Sequence, residues 1–160
     1  MSSEKKLQPN VYTARKYNAK VELDFDMGVK YSRVLLAIAG ADGELADDEL
    51  QWYIDEVTLM GSPQEYIDAI RNIDWKNVDI KEELSGVVFD FPLNVKRSLL
   101  YQAIKMSRAD GVFHEKEKAA VAGTAEVLGV EKNVMESLKC VIEMEDSAEQ
   151  LLRLILSCDI

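Results

Sequence analysis

Apolar residues recur at helical spacing along most of the chain. Spacings of three and four connect five apolar side chains between residues 50 and 60, and similar stripes cover residues 66–73, 134–142 and 148–155. Such spacing places apolar side chains on one face of an α-helix. No stretch alternates polar and apolar residues with period two, so a β-sheet is not expected.

These stripes, with the glycine, proline and capping residues between them, predict eight helices. The acidic string "DSAE" at residues 146–149 resembles a helix start, so the last stripe is assigned to a separate helix. Residues 7–25 give an ambiguous pattern, for which we expect a short helix followed by an extended arm. The predicted helices span residues 27–41, 47–60, 63–73, 77–89, 93–108, 115–128, 131–144 and 147–158.

A shift of 68 residues aligns the chain with itself. The string "ADGELADDE" at residues 41–49 matches "ADGVFHEKE" at residues 109–117, and the same shift pairs Gly61 with Gly129. The apolar positions of the following helix also keep their register under this shift. We therefore predict an all-α fold, a single compact bundle of seven to eight helices with two pseudo-repeated helix–acidic loop–helix units.

The charge of the chain is unevenly distributed. The 160 residues carry a net charge of −10, yet residues 1–20 hold five basic residues against Glu4 alone. We predict a basic, partly disordered N-terminal arm over residues 1–25 and an all-helical domain over residues 26–160. An acidic body repels nucleic-acid phosphates and attracts metal cations or basic protein surfaces. Nucleic acid is therefore not an expected partner.

The chain offers no signal for export or membrane insertion. Its longest apolar run, Val34–Ala41, is far shorter than the ~20 residues that span a bilayer, and residues 1–10 lack the apolar centre of a signal peptide. Cys140 and Cys158 are too few for a disulfide framework or a four-thiolate zinc site. A cytoplasmic protein is expected.

The repeated Ala-Asp-Gly string has a purely structural interpretation. Gly43 and Gly111 can adopt the left-handed backbone conformation that ends a helix, and the aspartate before each can accept backbone N–H bonds. Glu49 and Glu117 can reach back to the N–H of the cap residue at the start of the next helix. Under this interpretation the acids only end one helix and begin the next.

The alternative interpretation is a pair of cation-binding loops. Five acids lie within residues 42–49, and hard cations such as Ca²⁺ take six to eight oxygen ligands. The second loop adds the only histidine, whose imidazole favours Zn²⁺. We expect a divalent ion, most simply Ca²⁺, at the first loop through Asp42 and Glu49, with Asp110 and Glu117 as a weaker counterpart. The candidate metal ligands are Asp42, Glu44, Asp47, Glu49, Asp110, His114 and Glu117.

The two motifs resemble those of the TerB-like family, named for bacterial tellurite resistance, whose fold also occurs in the co-chaperone DjlA. The resemblance covers about residues 27–145 and lies in Ala-Asp-Gly followed by a Glu in the first turn of the next helix. It implies an all-α domain, acidic residues that bind divalent cations, and protein partners in a membrane-associated stress complex. Peripheral attachment to the inner membrane is an alternative to a purely cytoplasmic location.

Three functions remain open from the sequence. The leading one is a non-enzymatic, divalent-cation-linked binding or scaffold module of the tellurite-resistance type, acting in stress response. The alternatives are a metal-dependent hydrolase and a protein-binding helical adaptor without metal. Catalytic motifs such as G-x-S-x-G and H-E-x-x-H are absent from the sequence. Tellurite is an oxyanion, so the acidic loops are not expected to bind it directly.

Trp52 is the candidate partner-binding residue. It lies about 160° around its predicted helix from the centre of the apolar stripe, at 100° per residue. An exposed tryptophan beside an acidic loop would anchor a protein interface. The sequence leaves open whether the partner is another protein, a second copy in a homodimer, or the N-terminal arm covering this side chain.

Overall fold

The computed structural model describes residues 5–85 and 91–158 and is built almost entirely of helices. This confirms the all-α prediction and the predicted number of helices. A 3₁₀-helix at Trp75–Asn77 precedes α5, and two short strands, β1 (Lys6–Leu7) and β2 (Leu23–Asp24), pair antiparallel. The α-helices are α1 (Val11–Tyr17), α2 (Phe25–Ala39), α3 (Asp47–Leu59), α4 (Gln64–Arg71), α5 (Ile80–Leu84), α6 (Leu93–Ser107), α7 (Glu115–Leu128) and α8 (Lys132–Leu156).

The structure repeats with the same 68-residue shift as the sequence. Helix α2 maps onto α6 from the first residue to the last, and the starts of α3 and α7 are also 68 residues apart. Helices α2 and α6 form the centre of the core and pack against each other. Each contributes a run of fully buried aliphatic side chains, including Val34, Leu35, Ile38, Leu99, Leu100 and Ile104.

The prediction of two helices after residue 131 is wrong, because α8 continues without a break to Leu156. Asp146, expected to cap a new helix, lies inside α8. Its carboxylate instead accepts bonds from Lys105 Nζ at 3.2 Å and from Arg108 Nη2 at 2.9 Å. The acid in "DSAE" thus ties α8 to the end of α6 through charge-assisted hydrogen bonds.

Two other regions differ from the predicted elements. The helix predicted over residues 77–89 is the 3₁₀ turn followed by the short helix α5, and residues 86–90 lie outside the described residues. The expectation of no sheet is corrected by the β1–β2 pair, which is only two residues long in each strand.

The described part of the N-terminal arm is attached to the body by side-chain hydrogen bonds. Asn10 Nδ2 donates to the carbonyl of Leu59 at 2.8 Å, and Asn94 Nδ2 donates to the carbonyl of Asn18 at 3.2 Å. Strands β1 and β2 contact α2, and α1 contacts α6, so the arm lies across the side of the bundle that these two helices form. Among the described residues, no helix has both the length and the apolar content that crossing a membrane requires.

The packing at the end of α2 leaves no room for a side chain at Gly40. A Cβ atom at Gly40 would lie 2.4 Å from two ring carbons of Trp75, and the rigid indole would have to move. We expect Gly40→Ala to lower the free energy of unfolding by about 1–3 kcal/mol, the usual cost of overpacking. Urea denaturation followed by circular dichroism measures this change.

Gly123 offers a matched control for that substitution. It is solvent-exposed within α7, and an added Cβ would meet no atom within 4 Å. Gly123→Ala should therefore raise the stability by about 0.5–1 kcal/mol through helix propensity. Equal effects of the two substitutions would contradict the contact between Gly40 and Trp75.

Candidate functional site

The first acidic loop connects α2 to α3 and has the geometry of a helix end followed by a helix start. Gly43 has a φ of +97°, which glycine adopts without steric cost. Asp42 Oδ1 accepts a hydrogen bond from the Glu44 N–H at 3.1 Å. Glu49 Oε1 accepts one from the Ala46 N–H at 2.9 Å. The predicted structural roles of these residues are confirmed.

The second loop, between α6 and α7, repeats this geometry. Gly111 has a φ of +89°, Asp110 Oδ1 accepts from the Val112 N–H at 3.0 Å, and Glu117 Oε1 accepts from the His114 N–H at 3.0 Å. In both loops these bonds occupy one oxygen of each carboxylate. The second oxygen of each carboxylate therefore decides whether the loops can bind anything else.

The fold brings the two loops together at one end of the bundle. His114 Nε2 of the second loop lies 3.4 Å from Asp42 Oδ2 of the first. Asp42, His114 and Glu117 each contribute one potential ligand atom, and these three atoms lie within 4.8 Å of one another. Three of the seven candidate ligands therefore form a single group that spans both loops, where the sequence suggested a separate site in each.

The buried glutamate of this group, Glu117, lies beside a second buried glutamate, Glu49. The residues Glu49 and Glu117 are only 3% and 1% exposed, and the Oε2 atom of each is buried without a hydrogen-bond donor. Burial, together with the adjacent carboxyl of Glu117, raises the pKa of Glu49 to about 8, although the hydrogen bond from the Ala46 N–H acts in the opposite direction. Two adjacent buried carboxylates repel each other when both are charged, and a proton or a cation would relieve this repulsion.

The other candidate ligands take different places. Glu44 and Asp47 are exposed and lie outside the three-residue group, among the described residues. Asp110 is also exposed, and its charge helps to raise the pKa of Glu49 across the junction of the loops. The 68-residue repeat is the sequence signal for the meeting of the two loops. When the two units of a repeat pack together, their equivalent loops lie at the same end of the bundle.

Trp52 lies in a groove close to the second loop. It is half-buried and packs against the core, and the groove runs between α3, the second loop and α8. No described residue of the N-terminal arm lines this groove. Its walls carry a second aromatic side chain, Phe113, and charges of both signs from Asp55, Arg108, Asp146 and Arg153.

Comparison with known proteins gives a structural match. No protein-family model matches the sequence, and no curated protein matches it. A crystal structure of a tellurite resistance protein from Nostoc punctiforme superposes with a TM-score of 0.74 and 23% sequence identity, over 93% of this chain and 92% of that one. The chain has a TerB-like fold. The fold that the repeated motifs suggested is thereby confirmed over nearly the whole length of the chain.

The TerB-like fold explains why the loops meet. Its two helix–loop–helix units pack against each other through α2 and α6. Each loop follows the C-terminal end of one of these helices, so both loops lie at the same end of the bundle. At 23% identity the likeness concerns the fold alone. The chemistry of the site therefore depends on the side chains that this chain places there.

Proposed function

We propose that this TerB-like protein is a divalent-cation-linked binding module of the tellurite-resistance type, without catalytic activity of its own. The cation would bind where the two loops meet, to Asp42, His114 and Glu117, with Glu49 adjacent. The observation that carries this proposal is the convergence of three ligand atoms from both loops, one of which belongs to a pair of buried carboxyl groups.

Burial supports the proposal more strongly than the number of acids does. Exposed carboxylates interact well with water and need no ion, but a buried carboxylate oxygen without a donor costs free energy. A cation at this position would compensate Glu117 directly and reduce the repulsion between Glu49 and Glu117. Proton and cation would thus compete for the same pair of oxygens.

The donor set favours Zn²⁺ over Ca²⁺. Zinc commonly takes four ligands from imidazole, carboxylate and water, whereas calcium requires six to eight oxygens. Here one imidazole and two carboxylates converge, while Glu44 and Asp47 of the first loop lie outside the group. Water would complete the coordination of a zinc ion.

The groove at Trp52 provides a physical link between the cation and a protein partner. Phe113 lines the groove, and the adjacent residue His114 belongs to the ligand group, so both sites use the second loop. A cation that fixes this loop would also fix one wall of the groove. A partner with an apolar anchor and charges of both signs would fit its walls.

Calorimetric titration of the chelator-stripped protein with Zn²⁺, Ca²⁺ and Mg²⁺ tests the cation site. We expect saturable 1:1 binding of Zn²⁺, and an affinity at least ten-fold lower in Asp42→Asn. Asp47→Asn is the matched control, because this acid is exposed and lies outside the ligand group. Equal zinc affinities in the two variants, or no saturable heat with any of the ions, would refute the proposal.

Fluorescence tests the link between the cation and the groove. In Trp75→Phe, Trp52 is the only tryptophan, so its emission reports on the groove. We expect the emission to change with Zn²⁺ and to saturate at the dissociation constant found by calorimetry. If zinc binds and the Trp52 emission does not change, the cation site is supported but its coupling to the groove is disproved.

A further inference from the structure

A cavity of about 460 Å³ lies between the N-terminal arm and the body, and it shares no residue with the acidic loops. This volume is within the range of about 300–1,000 Å³ that is typical of small-molecule pockets. The arm contributes one wall from β1 through β2, and helices α2, α3, α4 and α6 contribute the other. Apolar and aromatic side chains dominate the lining, including Leu7, Leu23, Tyr53, Val57, Tyr66 and Val95.

One buried hydrogen-bond donor in this lining, the Tyr17 hydroxyl, has no acceptor, and a second, the Gln102 amide, is only weakly bonded. The Tyr17 hydroxyl is buried near Gln102 and makes no well-formed hydrogen bond. The Gln102 side chain is 2% exposed, and its Oε1 accepts from the Tyr31 hydroxyl at 2.5 Å. Its amide nitrogen lies beside the Tyr17 oxygen and donates a weak hydrogen bond to the sulfur of Met60, at 3.9 Å. Buried polar groups are normally satisfied, so these two donors indicate a missing acceptor.

The charges around the cavity define the kind of acceptor. The polar groups at its inner wall are neutral hydroxyls and amides, whereas Lys20 and Glu22 of the lining are exposed. Burial raises the pKa of Tyr17, and the nearby carboxylate of Glu56 raises it further, so the phenol keeps its proton and remains a donor. The same negative charge disfavours a bound anion.

We propose that this cavity binds an uncharged, largely apolar small molecule with one carbonyl oxygen, which accepts hydrogen bonds from Tyr17 and Gln102. The apolar part of the ligand would replace water against the aliphatic and aromatic walls. The N-terminal arm forms the cover of the site, which gives this segment a role separate from that of the acidic loops. The proposal does not depend on cation binding.

Three compounds of similar size separate the contributions. Valerophenone carries the carbonyl, pentylbenzene has the same carbon skeleton without oxygen, and 5-phenylpentanoate is an anion. Each competes with the neutral fluorescent probe N-phenyl-1-naphthylamine in the full-length protein. We expect valerophenone to displace the probe at about ten-fold lower concentration than either of the other two, because two hydrogen bonds to buried donors are gained.

Two variants locate the binding. Tyr17→Phe removes one donor and should reduce the preference for valerophenone over pentylbenzene to less than about three-fold, with probe binding retained. Val95→Trp fills the cavity and should abolish probe binding at an unchanged unfolding temperature. If Val95→Trp does not fold, Ala19→Trp in the arm fills the same cavity from the other side.

Several results would overturn the proposal. These are no saturable probe binding by the unmodified protein, probe binding retained in a folded cavity-filling variant, or a preference for valerophenone that Tyr17→Phe leaves unchanged. Equal displacement by valerophenone and pentylbenzene would also overturn it, since the two donors would then be satisfied by water.

Discussion

Zinc at one hundred times its dissociation constant is expected to raise the thermal unfolding midpoint by about 5–10 °C. A ligand at this excess stabilises the folded state by about 2.7 kcal/mol. For a domain of this size, each kcal/mol shifts the midpoint by about 2–4 °C. Differential scanning calorimetry with and without zinc measures the shift at pH 7.5.

The same experiment shows whether both loops contribute to one site. Asp42→Asn in the first loop and Glu117→Gln in the second should each remove most of the zinc-induced shift, measured against the zinc-free midpoint of the same variant. The double variant should lose little more than either single variant, because residues that act on one ligand are not additive. Independent, additive losses would instead indicate two separate sites, as the sequence suggested.

Removing the titratable group at position 49 is expected to change how stability depends on pH. In the folded protein the pKa of Glu49 is about 8, raised from about 4.5 by burial and by the carboxyl of Glu117. Between these two values the folded state therefore binds more protons than the unfolded state. It follows that the contribution of Glu49 to the free energy of unfolding falls as pH rises from about 5 to 8.

The comparison of the unmodified protein with Glu49→Gln isolates this contribution, since the other titrating groups are shared. Without metal, we expect the stability of the unmodified protein to fall by roughly 2 kcal/mol relative to Glu49→Gln between pH 5.5 and 8.5. If folding took up one complete proton at Glu49, the free energy of unfolding would change by about 1.4 kcal/mol per pH unit. Water beside the loops screens the charge and makes this change smaller. Urea denaturation at both pH values measures the change.

A neighbouring acid provides the control for the pH experiment. Asp48 lies in the first turn of the same helix and is exposed, so Asp48→Asn should keep the pH dependence of the unmodified protein. Parallel pH profiles for the unmodified protein and Glu49→Gln would show that no proton is taken up at Glu49 on folding. Saturating zinc should weaken the dependence above pH 7, because the cation replaces the proton.

Much of this fold can be predicted from the sequence because its signals are local. Helical spacing and the 68-residue shift predict most helices to within two residues, and both repeated glycines have the expected positive φ. The prediction failed where a tertiary contact opposes a local signal. Asp146 in "DSAE" resembles a cap, but the cations of Lys105 and Arg108 hold its carboxylate and α8 continues past it.

The candidate site could be predicted only in part. The sequence identifies the acids of each loop, because their spacing fits a helix end and a helix start. It does not show that the Oε2 atoms of Glu49 and Glu117 are buried without a partner. Nor does it show that Asp42 of one loop lies beside His114 of the other. Those facts depend on how α2 and α6 pack, which joins residues that are far apart in the chain.

The most direct test of the cation site is anomalous diffraction at the zinc absorption edge, from crystals of stripped protein soaked with zinc. We expect one strong peak about 2.0–2.2 Å from Asp42 Oδ2, His114 Nε2 and a carboxylate oxygen of Glu117. The peak should be absent in crystals of Asp42→Asn. A peak bound by one loop alone, or no peak where the loops meet, would contradict the account.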